Sequence, residues 1–398
     1  MRIAFFVDAW WPRVNGVISS VDDFNKALKE RGHQTIIVAP SYGKKEDALA
    51  LETEVVRIPA VGAIISSEDR IALRGPAARE AIRKVEEFSP DIVHIQTEFT
   101  IGGLGRSYAR NHGMPVISTC HTYWEMYIRS YVNFVPERFG KFLARTIQKA
   151  VYRNDDFIIA PTREIADVFR TYGIDKEFTI IPSGIDERIF KPSPEGASQL
   201  RARLAESFPA LATGRVILFA GRIAEEKNIS RLVKSMALVV AAVPDAILLM
   251  VGAGPGIEET KALAAKLGIV ERVVFAGYLK RTELPAAYSM AEVFAFPSMT
   301  ETQGLVTIEA MLCGTPVVGI ERMGTAEIMR GDKGGFVTED ETEAYAAPII
   351  RLLEDPVLRA AKSEEARTHG RQWSLDACTD RLEDLYEHAR CLGAVPRR

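Results

Sequence analysis

Short, continuous apolar runs rich in β-branched residues recur along the whole chain, each separated from the next by a stretch of helical period. In the first half they are Ile3–Val7, Thr35–Ala39, Ile92–Ile95, Val116–Thr119, Phe157–Ala160 and Thr179–Ile181. In the second half they are Val216–Ala220, Ile247–Val251, Val273–Phe275, Val293–Phe296 and Pro316–Gly319. A strand apolar on both faces has to be covered on both faces, so such runs belong to parallel sheets sandwiched between helices. Right-handed crossovers then give a doubly wound α/β arrangement. The series restarts at Val216, after a stretch from Lys191 to Gly196 that carries Pro, Ser and Gly. At 398 residues the chain is too long for one ordinary α/β domain and suits two of roughly 190 residues each. The expected domains are 1–190 with 373–398, and 191–372. The stretch from Trp373 to about Arg390 is amphipathic and no strand follows it, so it could pack back on the first domain.

Composition narrows the functional classes. A formal charge of −3 gives no reason to expect a nucleic-acid partner. Cys120, Cys313, Cys378 and Cys391 are scattered and form no CxxC or Cys/His cluster. That spacing offers no metal site and fits reduced thiols in a cytosolic compartment. The opening MRIAFFVDAWWP carries Asp8 and Pro12 where a signal peptide needs an unbroken apolar run, and it reads as a first strand entering a loop. No segment has the eighteen apolar residues that a membrane span requires. The expectation is a soluble protein or one seated on a membrane surface.

No GxGxxG follows the first strand, where Val14-Asn15-Gly16-Val17 stands instead, so a dinucleotide cofactor is disfavoured. Four features point to another ligand. Gly221-Arg222, with Lys227 after it, lies at the carboxyl end of a strand, the end that faces the ligand crevice in such sheets. Arg222 offers a planar donor fork and Lys227 a mobile point charge to one anion. A solvated loop with ion pairs to Glu225 and Glu226 is the plain alternative. Gly252-Ala253-Gly254-Pro255 allows close backbone approach to a ligand, or is a simple strand-to-helix turn. Tyr278, just beyond the strand Val273–Phe275, is counted among the donor-binding residues.

The strongest feature is Glu301-Thr302-Gln303-Gly304-Leu305-Val306-Thr307-Ile308-Glu309. A helix should begin near Gly304, with the N–H groups of Gly304, Leu305 and Val306 and the helix dipole turned to an anion. Glu301 and Glu309 bracket that helix start. Carboxylates are poor phosphate ligands and good acceptors for hydroxyls, so the ligand has phosphates in the middle and polyols at both ends: a nucleotide sugar. Gly16, with Asn15, can set backbone against the same diphosphate, unless it is merely a turn glycine. A hydrolase using Glu301 and Glu309 as paired carboxylates would leave the anion-binding helix start without a purpose. A non-enzymatic nucleotide-sugar binder would be expected to lack His121, Glu301 or Lys227, and all three are present.

Together Asn15-Gly16, His121, Gly221-Arg222, Lys227, the Glu301/Glu309 pair and Pro182-Ser183-Gly184-Ile185-Asp186 resemble the retaining GT-B glycosyltransferases over nearly the whole chain. The resemblance implies two Rossmann-like domains facing a central cleft, with the terminal helix crossing back to the first. It also implies that Glu301 holds the donor sugar hydroxyls and Glu309 the ribose. Arg222 and Lys227 would neutralise the leaving diphosphate in place of a metal, His121 would sit beside the donor sugar, and Gly16 would meet the diphosphate. No cofactor is implied, since the nucleotide sugar is a substrate. The mechanism implied is front-face substitution with retention. Many members carry Phe where this chain has Gln303. Glu301-Thr302-Gln303-Gly304-Leu305 and His121-Thr122-Tyr123-Trp124 with Glu125 and Tyr127 are similar to the bacterial diacylglycerol glucosyltransferases. That subgroup implies UDP-glucose as donor, diacylglycerol as acceptor, and a cytoplasmic protein peripheral on the inner face of the membrane. GDP-mannose or UDP-galactose would need few pocket changes; a soluble glycosyltransferase acting on a sugar, sugar phosphate or polyol would share every donor-side feature, and another lipid such as phosphatidylinositol, with GDP-mannose, is a further alternative.

A membrane contact also has a basis in the residues. Between Arg106 and Arg153 there are eight Lys/Arg against Glu125 and Glu137. From Pro136 onward Phe139, Phe142, Leu143, Ile147, Ala150 and Val151 fall at helical spacing, with basic residues on the other faces. Residues 128–153, beside Trp124, Tyr127, Tyr131 and Phe134, are therefore expected to meet an anionic membrane. A crossover helix packing its apolar face on the sheet is the alternative. A second basic stretch, Arg70–Lys84, is diluted by acids.

Overall fold

The computed structural model describes residues 1–13, 16–43, 47, 55–62, 70–73, 75–121, 137–301 and 303–393. The chain divides into two compact units, Met1–Gly184 with Leu375–Arg398, and Ile185–Ser374. The division falls ahead of residue 190 because Ile185 N donates to the Trp373 carbonyl (3.0 Å) and Phe190 is buried in the second core.

The strands are β1 Arg2–Phe6, β2 Gln34–Pro40, β3 Val55–Ile58, β4 Ala60–Gly62, β5 Arg70–Ala72, β6 Ile92–Ile95, β7 Val116–Thr119, β8 Phe157–Ala160 and β9 Phe178–Ile180 in the first unit. The second unit holds β10 Arg215–Ala220, β11 Ala246–Val251, β12 Val273–Gly277, β13 Val293–Phe296, β14 Val317–Ile320 and β15 Gly335–Thr338. The first unit's helices are α1 Gly16–Glu30, α2 Pro76–Phe88, α3 Thr100–Asn111, α4 Glu137–Tyr152 and α5 Arg163–Thr171. The second unit's are α6 Pro194–Ala205, α7 Ile229–Ala242, α8 Ile257–Lys266, α9 Leu284–Met290, α10 Leu305–Leu312, α11 Met323–Ile328, α12 Thr342–Glu354 and α13 Pro356–Gly370. The terminal helix α14, Leu375–Leu392, belongs to the first unit.

Both main sheets are parallel. The first has the order β3-β2-β1-β6-β7-β8-β9 and the second β12-β11-β10-β13-β14-β15. Each therefore reverses its winding once, between β1 and β6 and between β10 and β13, and the loops after those strands flank the place where such sheets bind ligands. The central strands β6, β11 and β13 are buried along their whole length, as continuous apolar runs require. The small β4–β5 hairpin and the edge strand β15 were not legible in the sequence; they are three or four residues long and only partly buried.

Helix α14 completes the first unit's core rather than decorating it. Cys378, Leu382, Leu385, Tyr386 and Ala389 pack in one cluster with Ile3, Phe5, Ile18, Val21 and Leu28. At its surface Arg31 pairs with Asp376, with Asp380 (2.6 Å) and with Glu383 (2.5 Å), and His33 Nε2 lies 2.6 Å from Glu383. Among the described residues no helix is long and apolar enough to cross a membrane.

Helix α4 departs from the alternative of a crossover helix that packs its apolar series on the sheet. In α4 the buried positions are Gly140, Ala144, Gln148 and Tyr152, four apart along one face. Phe142 is 64% exposed, Leu143 is exposed, and Ile147 and Val151 are only partly covered. The apolar series read from the sequence is thus not the face that packs. The larger apolar side chains Phe142 and Leu143 stand outward beside Lys141, Arg145 and Lys149. Trp124, Tyr127, Tyr131 and Phe134 lie outside the described residues, as do the side chains of residues 137–139.

Candidate active site

In the second unit, β10 ends at Ala220 and the chain turns through Gly221 (φ 152°) into Arg222. A short 3-10 turn over Glu225–Lys227 follows, ending at Asn228, which takes a left-handed φ of 54° and caps α7. On the other side of the switch point, β13 runs into Pro297 and on to Glu301. Lys227 Nζ and the Glu301 carboxylate form an ion pair across these two loops. Lys227 also sits 6.0 Å above the Phe296 ring, and Thr300 Oγ1 donates to the Glu226 carbonyl (3.1 Å). Residues 74 apart in sequence are therefore brought into one charged pair by strand order alone. Arg222 is 66% exposed and reaches Glu226 at 3.6 Å; the alternative of a local surface pair is what this ligand-free geometry displays.

Helix α10 begins as the sequence suggested. Gly304 is its N-cap at φ 69°, no side chain caps it, and the first-turn N–H groups of Leu305 and Val306 have no intrahelical acceptor to use. The neighbouring loop closes tightly, since a Cβ at Gly324 would stand 2.6 Å from the Gln303 backbone, and Gly324 N donates to the Glu301 carbonyl (2.9 Å). Gln303 places a buried side-chain nitrogen here that has no hydrogen-bond partner among the described residues. One turn into α10, Glu309 accepts a hydrogen bond from the hydroxyl of the fully buried Tyr288 (2.8 Å). Burial pushes the Glu309 carboxyl up to about 7, against the opposing effects of the Tyr288 hydrogen bond and the Arg281 charge. Tyr288 carried no signal in the sequence, because it lies in an ordinary apolar stretch of α9.

Two assigned donor residues have a plainer placement in the fold. A Cβ at Gly252 (φ 136°) would lie 2.0 Å from the Gly221 carbonyl, so the glycine is required by loop-on-loop packing inside the unit. Gly254 is constrained likewise, with a Cβ placed 2.1 Å from the Ile223 carbonyl. Tyr278 follows the edge strand β12 and is 80% exposed.

In the first unit, Gly16 opens α1, and a Cβ there would meet nothing within 4 Å, so packing within the described residues does not account for the glycine. Asn15 lies outside the described residues. His121 follows β7, and its Nε2 lies 2.7 Å from Gln96 Oε1. Gln96 follows β6, beyond His94 on the same strand, and both are buried. Neither was singled out in the sequence, although polar residues alternating into the run Ile92-Val93-His94-Ile95-Gln96 were a readable anomaly. Burial lowers the His121 ring to about 4, and burial together with the nearby His121 lowers His94 to about 3.

Those two shifts set the sign of a pH effect. The folded state resists protonation that the unfolded chain accepts near pH 6.5, so the stability of the first unit is full above that pH and falls below it. At about pH 5 the loss is about 2 kcal/mol per ring. The urea midpoint of the first unit is expected to drop between about pH 7.5 and 5; a flat profile would mean that the rings are not buried as neutral imidazoles.

The site residues lie within regions matched by two family models. "Glycosyl transferases group 1" matches residues 202–369 and "Glycosyltransferase Family 4" residues 14–188. An alpha-monoglucosyldiacylglycerol synthase of Acholeplasma laidlawii is 29% identical over 392 residues, covering 97% of this chain and 96% of that protein. The Streptococcus pneumoniae protein of the same name is 31% identical, covering 80% of this chain and 70% of its own length. A GDP-mannose-dependent alpha-(1-6)-phosphatidylinositol monomannoside mannosyltransferase of Mycolicibacterium smegmatis is 27% identical, covering 92% and 91%. Among solved structures, Anabaena HepE in complex with UDP and glucose superposes with a TM-score of 0.72 at 19% identity, covering 98% of this chain and all of that one.

Proposed function

This chain belongs to the GT-B glycosyltransferases, and from that premise we propose that it moves glucose from UDP-glucose onto the free hydroxyl of diacylglycerol, with retention, at an anionic membrane surface. The observation that carries the donor half is the Lys227–Glu301 pair beside the uncapped start of α10, with Glu309 one turn further on. Lys227 and Arg222 meet the diphosphate, the α10 N–H groups share its charge, Glu301 holds sugar hydroxyls, and Glu309 takes the ribose. The bond from the anomeric carbon to the phosphate oxygen breaks with its electron pair on the nucleoside diphosphate. The acceptor hydroxyl attacks from the same face, and its proton passes to the departing phosphate oxygen. His121, which burial keeps neutral at physiological pH, is the first unit's candidate for a role beside the reacting sugar. Fixed cations and helix N–H groups stabilise the leaving group, so neither a metal ion nor a cofactor has a step to perform.

The acceptor half is supported by α4 and by the relatives named for glucosyldiacylglycerol synthesis. Exposed Phe142 and Leu143 lie among Lys141, Arg145 and Lys149, the chemistry of a helix lying in an anionic lipid interface. The double variant Lys141→Glu/Arg145→Glu is expected to cut sedimentation with anionic liposomes severalfold. Unchanged sedimentation would return α4 to a purely structural role.

The deciding assay incubates the protein with UDP-glucose, UDP-galactose or GDP-mannose in liposomes of diacylglycerol and an anionic phospholipid, with chelator present. Hexosyl-diacylglycerol from UDP-glucose, with an α-anomeric proton by NMR, is the expected product. Product from GDP-mannose alone would replace the donor assignment. Nucleotide release only with a soluble sugar acceptor would remove the lipid.

A further inference from the structure

Behind His121 a chain of buried polar groups runs through the first unit to the C-terminal helix. The Tyr386 hydroxyl lies 2.7 Å from His94 Nδ1, and His94 Nε2 lies 2.7 Å from Thr119 Oγ1. Gln96 Nε2 stands 3.1 Å from His94 Nδ1, and Gln96 Oε1 2.7 Å from His121 Nε2. Tyr386 is fully buried, His94 is 1% exposed and Gln96 4%. We infer that Gln96 is a positioning residue that fixes the tautomer of His121, holding the ring with Nε2 protonated and Nδ1 as a lone-pair acceptor, and that Tyr386 sets the direction of the chain.

The argument is one of proton bookkeeping. A phenol O–H sealed from water has to donate, and the acceptor described beside Tyr386 is His94 Nδ1. His94 Nδ1 is therefore unprotonated, and the neutral ring carries its proton on Nε2, donated to Thr119. The Gln96 amide must turn its NH2 toward Nδ1, because its carbonyl would oppose one lone pair with another. Its carbonyl then faces His121 Nε2, which must supply an N–H. The reverse direction is hydrogen-bonded at every link except one, since it strands the Tyr386 hydroxyl. A residue on the last helix of the chain thus decides which nitrogen of His121 carries the proton.

The effect on turnover rests on His121 lining the reacting sugar, as proposed above, whereas the tautomer does not. Long-range 15N–1H correlation spectra of ring-labelled protein read both histidines directly. Wild-type His121 is expected as the Nε2–H tautomer; a Nδ1–H signal would overturn the inference without any variant being made. Tyr386→Phe removes the directing hydroxyl, so the Nδ1–H form of His121 should rise to a comparable share. Gln96→Leu should abolish the preference and lower kcat by roughly tenfold or more, with the donor KM within roughly twofold. Gln96→Glu, which keeps an acceptor at Nε2, should restore the tautomer. Unchanged spectra in both Tyr386→Phe and Gln96→Leu would sink the inference. Shifted tautomers with unchanged kcat would leave the chain standing and take His121 out of the reaction, which is a failure of the proposed function.

Discussion

Replacing Glu301 with alanine is expected to lower kcat by about 10²–10³-fold while leaving the melting temperature nearly unchanged. Glu301 stands in a loop that no helix or strand requires to be charged, and its carboxylate is tied to Lys227. In the proposed reaction the diphosphate would compete for Lys227 and free Glu301 to accept hydrogen bonds from sugar hydroxyls. Alanine removes those acceptors at the point where the sugar must be held during departure of the nucleotide. The pair is partly exposed, about a fifth for each side chain, so its removal costs stability only about 1 kcal/mol or less. Turnover and circular dichroism on the same preparation separate the two effects. Wild-type turnover in Glu301→Ala would remove Glu301 from the site; lost turnover in an unfolded protein would say nothing about sugar binding, and Glu301→Gln would then be measured.

Truncation after Ser374 is expected to unfold the first unit and leave the second intact. Helix α14 supplies Cys378, Leu382, Leu385, Tyr386 and Ala389 to a core that also takes side chains from α1 and from strands β1, β2, β6, β7 and β8. Burying each of the larger ones contributes about 1.5–3 kcal/mol, so their loss is comparable with the whole stability of a domain, about 5–15 kcal/mol. The Arg31 cluster with Asp376, Asp380 and Glu383 adds orientation more than energy, since two of these carboxylates are mostly exposed. The second unit keeps its own continuous core from Ile185 to Ala366. Calorimetry of the full chain against the truncated one reads this as two transitions reduced to one. Persistence of the first unit's transition would show that α14 is an accessory. Tyr386→Ala is the milder form of the same test and is expected to cost about 3–5 kcal/mol.

The sequence by itself determined the architecture and where the helix start at Gly304 falls between Glu301 and Glu309. Strands such as β10, β11 and β13 are covered on both faces, and a strand with no solvent face has no polar positions, so its run is visible without neighbours. Glu301, Gly304 and Glu309 were legible because a helix start acts on residues that are adjacent in the chain. What only the tertiary structure decided depends on partners far apart in sequence. Lys227 meets Glu301 because β10 and β13 are neighbours in the sheet. Gly252 is a glycine because the Gly221 backbone lies against it. Tyr386 reaches His94 across 292 residues because α14 packs against β1 and α1. Which face of α4 is buried was left open by the sequence for the same reason. Hydrophobic periodicity reports that a helix has two faces, and whether Gly140 and Ala144 or Phe142 and Leu143 turn inward is decided by what packs around it in the fold.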